Sequence, residues 1–481
     1  MWDQLTAALK WVDDQVWGIP LIVLILAVGI YLTIRVRCLQ LRHLPRALKF
    51  MVKNEEGGTG EVSSFGALCT ALSATIGTGN IVGVATALVA GGPGALFWMW
   101  IAAFFGMATK YAEGVLAIKY RHIDKDGHVL GGPFYYIEKG MGPKWKWLAK
   151  VFAFFGVGVG LFGIGTFTQV NGIASAVNNF FDAGNGWTVN LFGGTYSWTV
   201  VITGVILTVA VGLVIIGGLK RIANVSQVIV PFMSILYVAF ALLLLIFNAE
   251  KIPGAIAEIV ESAFGFRAAA GGALGAVIIA MQKGIARGIF SNEAGLGSAP
   301  IAAAAAKTNE PVRQGLVSMT GTFIDTIIIC TMTGLCIVIT GSWNLGLEGV
   351  AVTTNAFQAG LPFLPAEVSS FVLMLCLVFF AFTTILGWDY YSERCLEYLV
   401  NGRRKVVSVY RWIYILAIFI GPYMTVEAVW VIADIFNGLM ALPNLVALIF
   451  LSGVIARETK RYFSKEKELR RMEKCNLPQP E

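Results

Sequence analysis

Apolar runs of about bilayer length alternate with short, basic polar segments along nearly the whole chain. A span needs roughly 20 apolar residues. Eleven such runs occur, near Trp17–Val36, Ser64–Ala90, Ala95–Ile118, Leu148–Phe181, Trp198–Gly218, Ile222–Phe247, Gly271–Ala306, Val312–Thr340, Val368–Tyr390, Trp412–Tyr423 and Val426–Ile455. Helices satisfy their backbone groups internally, as lipid requires, so an all-α polytopic membrane protein is predicted. The first run follows an acidic segment (Asp3, Asp13, Asp14) and lacks a small-residue cleavage site, which predicts a retained helix.

Two runs carry polar residues that a continuous lipid-facing helix does not favour. The second contains Ser73-Ala74-Thr75-Ile76-Gly77-Thr78-Gly79-Asn80, and Gly and Asn weaken a helix. The seventh contains Arg287-Gly288-Ile289-Phe290-Ser291-Asn292-Glu293-Ala294-Gly295. Unwound backbone survives at membrane depth only where it is buried in protein or lines a cavity. Both stretches therefore predict broken helices, at 74–80 and 287–295. Small-residue packing faces account for Gly83, Gly91 and Ala302–Ala306, but not for Asn80, Ser291, Asn292 and Glu293.

If the first helix is peripheral, the remaining runs divide into two sets of five, each opening on a broken helix. An odd number of spans makes the sets enter the membrane in opposite directions, an inverted repeat with its site at the interface. The expected organisation is a peripheral helix and basic loop at 1–60, a first repeat at 61–250, a second at 251–456 and a charged tail at 457–481, the tail being a solvated helix near anionic lipid.

Charge supports this count. The chain is 57% hydrophobic and 14% charged, against about 25% charged in soluble domains. Of its 36 Lys and Arg, Lys10, Lys251 and Arg267 fall on one side, and Lys110, Lys283 and Arg287 within spans or at their ends. All others fall in loops on the opposite side, which the positive-inside rule makes cytoplasmic, with the N-terminus outside. A cell-membrane protein is expected. Basic residues confined to loops argue against a nucleic-acid partner, and no obligate protein partner is evident. Seven cysteines without a CxxC motif argue against a disulfide framework or metal site. No cofactor and no enzyme activity are expected: the three histidines lie in the basic loops and no phosphate-cradling Walker loop occurs.

The broken helices suggest the chemistry. A helix restarting near Asn80 would present the amides of Thr78 and Gly79 to a carboxylate, and glycine permits close approach. The half-helix ending near Ile76 leaves carbonyls for a small hard cation, which prefers oxygen ligands. Thr383 and Thr384 offer hydroxyls to it, or bond back to their own helix. Gln169 either reaches a ligand or joins helices. Other charges at membrane depth are Lys110 with Glu113, Asp325, and Asp389 with Glu393. Glu293, with Lys283 or Arg287 nearby in sequence, is either a buried pair gating an access path or a fixed structural ion pair.

Gly91-Gly92-Pro93-Gly94-Ala95-Leu96-Phe97-Trp98-Met99-Trp100-Ile101-Ala102-Ala103-Phe104-Phe105-Gly106 resembles the signature of the alanine or glycine:cation (sodium:alanine) symporter family. The Ala74–Asn80, Gly288–Gly295 and Thr383–Trp388 segments resemble further blocks of that family, so the resemblance covers essentially the whole chain. It implies a LeuT-like fold of five plus five helices with one extra N-terminal helix, and sodium-coupled uptake of small neutral amino acids, chiefly alanine and glycine. It implies that the substrate carboxylate meets Thr78 and Gly79 beside Asn80, that Ile289, Phe290 and Ser291 close the opposite side, and that Phe167, Gln169 and Trp388 wall the pocket. The sodium ion would lie between the carbonyls of Ser73 and Ile76 and the hydroxyls of Thr383 and Thr384. A proton-coupled symporter using Glu293, or a non-transporting amino-acid sensor, are the alternatives.

Overall fold

The computed structural model describes residues 2–53, 55–184, 186–191, 194–265, 273–423 and 427–474. Arg267, Cys475, and the positions Gly271 and Val426 that open two expected spans, lie outside the described residues. Among the described residues, ten helices are long and apolar enough to cross a membrane, and up to eleven if a pair bent by 53° counts as one span. The protein is an all-α multi-pass membrane protein with two small β-hairpins.

Helices α1 (Trp2–Val16) and α2 (Ile19–Arg35) precede the first broken span. That span is α3 (Ser64–Thr75) followed by a π-turn at Gly79–Gly83 and α4 (Val84–Gly91). Ser63 caps α3 by accepting the Gly66 N–H at 2.9 Å. Ile76 then turns to extended backbone, which ends the helix where the sequence places Gly77-Thr78-Gly79. Next come α5 (Gly94–Tyr120), α6 (Lys146–Phe162), α7 (Phe167–Phe181), α8 (Trp198–Ile215) and α9 (Gly218–Phe247). Side chains such as Ile206, Leu213, Val228 and Ile235 on α8 and α9 are exposed, a surface suited to lipid, whereas α5 is buried along most of its length.

The second broken span is α10 (Ala273–Asn292) and α11 (Ala299–Ala303). The interruption expected at 287–295 begins later: α10 runs unbroken through Arg287 to Asn292, and the chain leaves the helix only at Glu293. Glu293, Gly295 and Gly297 have φ of 54°, 92° and 82°. Those three left-handed positions, rather than Gly288, turn the chain. Helices α12 (Pro311–Thr322) and α13 (Thr331–Thr340) are halves of one span, joined by a π-helical stretch at Phe323–Cys330. A short helix, α14 (Val350–Gly360), leads to α15 (Ala366–Leu399), α16 (Arg404–Ile420), α17 (Glu427–Phe450) and α18 (Ser452–Lys474).

A third interruption was not anticipated. The run read as continuous from Leu148 to Phe181 parts at Gly163–Thr166, between α6 and α7. The Gly165 carbonyl accepts the Tyr414 hydroxyl at 2.8 Å, and Thr166 Oγ1 donates to Leu161 O at 2.6 Å. Glycine is needed here, because a Cβ on Gly163 or Gly165 would strike Ala433 or the Gly160 carbonyl.

Glycines also set the helix crossings. A Cβ on Gly114 would lie 2.6 Å from Ser318 Oγ, and one on Gly315 would lie 2.7 Å from Val115 Cγ2, so α5 and α12 meet almost backbone to backbone. A Cβ on Gly387 would lie 2.7 Å from Ala74 N, which brings α15 against α3.

The face carrying the basic loops is latched. Arg121, after α5, donates to four carbonyls: Ala304 and Ala306 at 2.7 Å, Thr308 at 2.6 Å and Thr59 at 2.9 Å. It thereby ties the chain entering α3 to the chain leaving α11. His128, in the hairpin β1 (His122–Ile123) and β2 (Val129–Leu130), lies 3.2 Å from Glu397 and 3.1 Å from Glu61. The tail is docked rather than only solvated. Phe463 stacks on His43 with centroids 4.2 Å apart, Arg46 pairs with Glu466 at 2.5 Å, and Thr459 meets the Tyr111 hydroxyl at 2.7 Å. Residues 459 and 463 lie on one face of α18, so it has a packing stripe despite its charge.

Arg121→Ala should destabilise the protein by about 2 kcal/mol, from the loss of charge-assisted bonds to carbonyls. The expected readout is a melting temperature several degrees lower in detergent, with faster proteolysis of the basic loops. Hydrogen bonds to Glu397 and Glu61 raise the His128 pKa to about 9, against opposing desolvation and Arg394. A raised folded pKa contributes stability below the ordinary histidine pKa and loses it as pH rises through the folded value. The melting-temperature gap between wild type and His128→Gln should therefore be widest below about pH 6.5 and close by about pH 9.

Candidate functional site

The first break exposes backbone groups that neighbouring helices must meet. Asn80 folds back so that its Oδ1 accepts the Gly77 N–H at 2.9 Å. The Thr78 N–H faces Gln169 Oε1 from α7 at 3.5 Å, a long contact. The Ile76 carbonyl receives Thr384 Oγ1 from α15 at 3.4 Å. Gly77 is required there, since a Cβ would lie 2.6 Å from the Thr384 hydroxyl.

These contacts bring together most of the residues singled out from sequence. Ser73, Ile76, Thr383 and Thr384 are all buried around the meeting of α3 and α15. The hydroxyls also bond locally: Thr383 to Phe379 O and Phe380 O at 3.1 and 3.0 Å, Thr384 to Phe380 O at 2.9 Å, and Ser73 to Thr70 O at 2.8 Å. Gly79 faces α10, where a Cβ would lie 3.4 Å from Ser291 Cα and 3.5 Å from Phe290 Cδ1. Phe167 and Ile289 are buried, and Phe167 lies 3.6 Å from the Cβ position of Gly421.

The structure adds a residue to which sequence reasoning gave no role. Asp325, buried in the π-helical stretch, accepts Asn80 Nδ2 at 2.7 Å and Ser291 Oγ at 2.9 Å. Its other donor is Thr326 Oγ1 at 2.7 Å. One carboxylate therefore ties the first break to the last turn before the second. Thr326 Oγ1 in turn accepts Asn292 Nδ2 at 3.0 Å, and Thr333 Oγ1 donates to Asn80 O at 2.8 Å. A carboxylate at membrane depth was the available signal, but its partners are 34 and 245 residues away.

Glu293 and Arg287 require a correction. Glu293 pairs with neither Lys283 nor Arg287. Its carboxylate accepts Trp388 Nε1 at 3.0 Å and Ser298 Oγ at 2.5 Å. With α10 helical through Asn292, Arg287 falls on another face. There it lies 5.6 Å from the Phe290 ring and shares a cavity of about 140 Å³ with Asp13, Lys283 and Asp434. Trp388, expected as a pocket wall, is buried with its indole aimed at Glu293 and its Cβ 2.7 Å from the Cβ position of Gly165.

The arrangement presents backbone amides and carbonyls, the Thr384 hydroxyl and a neutral amide at one buried point beside the first break, while the Thr383 hydroxyl lies 3.5 Å from Met233 Sδ on α9. It suits a zwitterion and a small hard cation.

Comparison with known proteins agrees with this architecture. The model of the sodium:alanine symporter family matches residues 2–476. An uncharacterized transporter of Haemophilus influenzae is 56% identical over 95% of this chain and 96% of its own. The sodium/alanine symporter AgcS of Methanococcus maripaludis is 47% identical over 94% of this chain and 96% of its own. The crystal structure of MhsT in complex with L-phenylalanine superposes with a TM-score of 0.54 at 14% identity, over 84% of this chain and 99% of that one, which establishes a LeuT-like fold. The chain is a multi-pass membrane transporter, not an enzyme, and belongs to the sodium:alanine symporter family.

Proposed function

We propose that the protein moves small neutral amino acids, alanine and glycine foremost, into the cell by symport with sodium. The observation that carries this reading is the first break, where the Ile76 carbonyl meets Thr384 and the Thr78 amide, among the described residues, meets a distant Gln169 oxygen alone. A carbonyl–hydroxyl pair is a hard-cation site in composition, and a weakly engaged amide at a restarting helix is an anion site. Family membership and the likeness to AgcS support both choices.

In this reading the amino-acid carboxylate takes the Thr78 and Gly79 amides beside Asn80. Phe167, Gln169, Ile289, Phe290, Ser291 and Trp388 surround the rest of it. Sodium takes the Ser73 and Ile76 carbonyls with the Thr383 and Thr384 hydroxyls. Each ligand orders the segment that binds the other, so their binding is reciprocally favourable. Glu293, through Trp388, links the second break to α15, and Arg287 lines the vestibule above Phe290. The five-helix repeats are 61–250 and 251–456. The basic face is cytoplasmic and the N-terminus outside, by the distribution of Lys and Arg. One sodium charge crossing inward adds about 2.3 kcal/mol of driving force per 100 mV.

The test is uptake of labelled alanine into proteoliposomes holding the purified protein, with and without an inward sodium gradient. Sodium-dependent uptake competed by glycine is expected. Uptake indifferent to sodium but driven by outside acid would reject sodium coupling. Thr384→Ala should raise the half-saturating sodium concentration roughly tenfold, the equivalent of about 1.4 kcal/mol, while leaving the order of amino-acid preference unchanged. An unaltered sodium midpoint would remove Thr384 from the cation site. Asp325→Asn should cost about 2 kcal/mol of stability by setting an amide against the donors of Asn80 and Ser291, read as a lowered melting temperature together with slower uptake.

A further inference from the structure

His128, from the hairpin, and the facing ends of α15 and α16 line a cavity of about 310 Å³ on the basic face. Small-molecule sites occupy roughly 300–1,000 Å³. The apolar run of α15 ends near Tyr390 and that of α16 opens near Trp412. The cavity therefore sits at the edge of the spans, at the depth of lipid headgroups. Arg394, Arg404 and Arg411 join His128 in its wall, with Glu393 and Glu397 as the acids.

Both acids are committed. Glu393 accepts Arg411 twice, at 2.6 and 2.8 Å. Glu397 accepts Arg394 at 2.5 Å and lies 3.2 Å from His128, whose ring also lies 3.1 Å from Glu61. His128 is charged at neutral pH, because its hydrogen bonds to Glu397 and Glu61 raise its pKa. These cations and acids balance, and Arg404 is left over. It lies 3.8 Å from Asp126 with both side chains more than four-fifths exposed, a pairing worth little. Arg404 and the Ser408 hydroxyl one turn on make no hydrogen bond among the described residues. Arg394 Nε is buried and also has no partner among them. Buried donors are nearly always satisfied, so an orphan on a cavity wall points to an occupant.

One uncompensated positive charge with unfilled donors matches a phosphodiester, which carries a single negative charge. Beyond the cavity the surface turns apolar along the same line. Arg404, Ser408, Trp412, Leu416 and Ile420 recur at every fourth residue, which makes them one continuous ridge of α16, and all five are exposed. The ridge runs from two polar residues in the cavity wall through an interfacial tryptophan to two aliphatic residues. We propose that the cavity binds an anionic phospholipid, with its phosphate on Arg404 and Ser408, its headgroup toward Arg394 and an acyl chain along Trp412, Leu416 and Ile420. A choline headgroup brings its own positive charge and gains nothing from Arg404. The bound lipid ties the end of α15 to the start of α16 across the turn at Asn401 and Gly402, whose φ are 51° and 74°.

The experiment measures the melting temperature of the full chain in an uncharged detergent, with phosphatidylglycerol, phosphatidylcholine, glycerol 3-phosphate or inorganic phosphate added at one concentration. A ligand that binds the folded protein raises its melting temperature. Phosphatidylglycerol is expected to raise it by several degrees and the other three to leave it unchanged. Arg404→Gln and Ser408→Asp should each abolish the shift and keep the lipid-free melting temperature, since both side chains are exposed. Lys405→Gln removes the same charge from a neighbouring exposed position outside the cavity wall, and should keep the shift. No shift with phosphatidylglycerol, or an equal one with phosphatidylcholine, would overturn the proposal. An equal shift with glycerol 3-phosphate or inorganic phosphate would make this a soluble-anion site and overturn the lipid. A shift that survives in Arg404→Gln and Ser408→Asp, or is lost equally in Lys405→Gln, would reduce the effect to diffuse surface charge and overturn the site.

Discussion

The Asp325 carboxylate is the interaction on which the centre of the molecule depends. Two helices are interrupted at membrane depth, and the groups around an interruption must be satisfied inside the protein. Asp325 accepts Asn80 from the first break and Ser291 from beside the second. Asn80 then holds the Gly77 amide with its other side-chain atom. The π-helical stretch at Phe323–Cys330 fits this role, since a wider helix reorients the residues it carries and such stretches recur at functional sites.

Around this centre, close helix contact is achieved by omitting side chains. Gly77 makes room for the Thr384 hydroxyl, Gly387 for Ala74, and Gly114 and Gly315 for the α5–α12 crossing. The proposed ion and substrate groups are therefore positioned by backbone-to-backbone approach as much as by their own bonds. This is the packing expected where lipid supplies no hydrophobic drive between helices.

The two faces of the membrane protein differ. On the basic face, Arg121 gathers four carbonyls from the chain entering α3 and the chain leaving α11, with His128 and the docked α18 beside it. On the other face, Arg287 borders a cavity with Asp13 and Asp434 beside Phe290. The basic side thus carries the bonds that hold the two half-helices together.

The sequence alone determined the fold class, the span count, the first break and most of the residues that gather at it. Hydropathy and helix-breaking residues act locally: twenty apolar residues span a bilayer wherever they occur, and Gly-Thr-Gly-Asn resists a continuous helix in any context. The family resemblance extended this to residues such as Trp388, whose indole the structure turns toward Glu293. Tertiary structure decided the rest. It moved the second break to Glu293–Ser298, because left-handed backbone at Glu293, Gly295 and Gly297, and not Gly288, turns the chain. It opened the fourth run at Gly163–Thr166, where Tyr414, about 250 residues away, supplies the missing donor. It separated Arg287 from Glu293, gave Asp325 its neighbours, and docked a tail whose composition suggested only solvation. Each depends on which distant group arrives to satisfy a polar atom in a medium without water, and local sequence carries no record of that arrival.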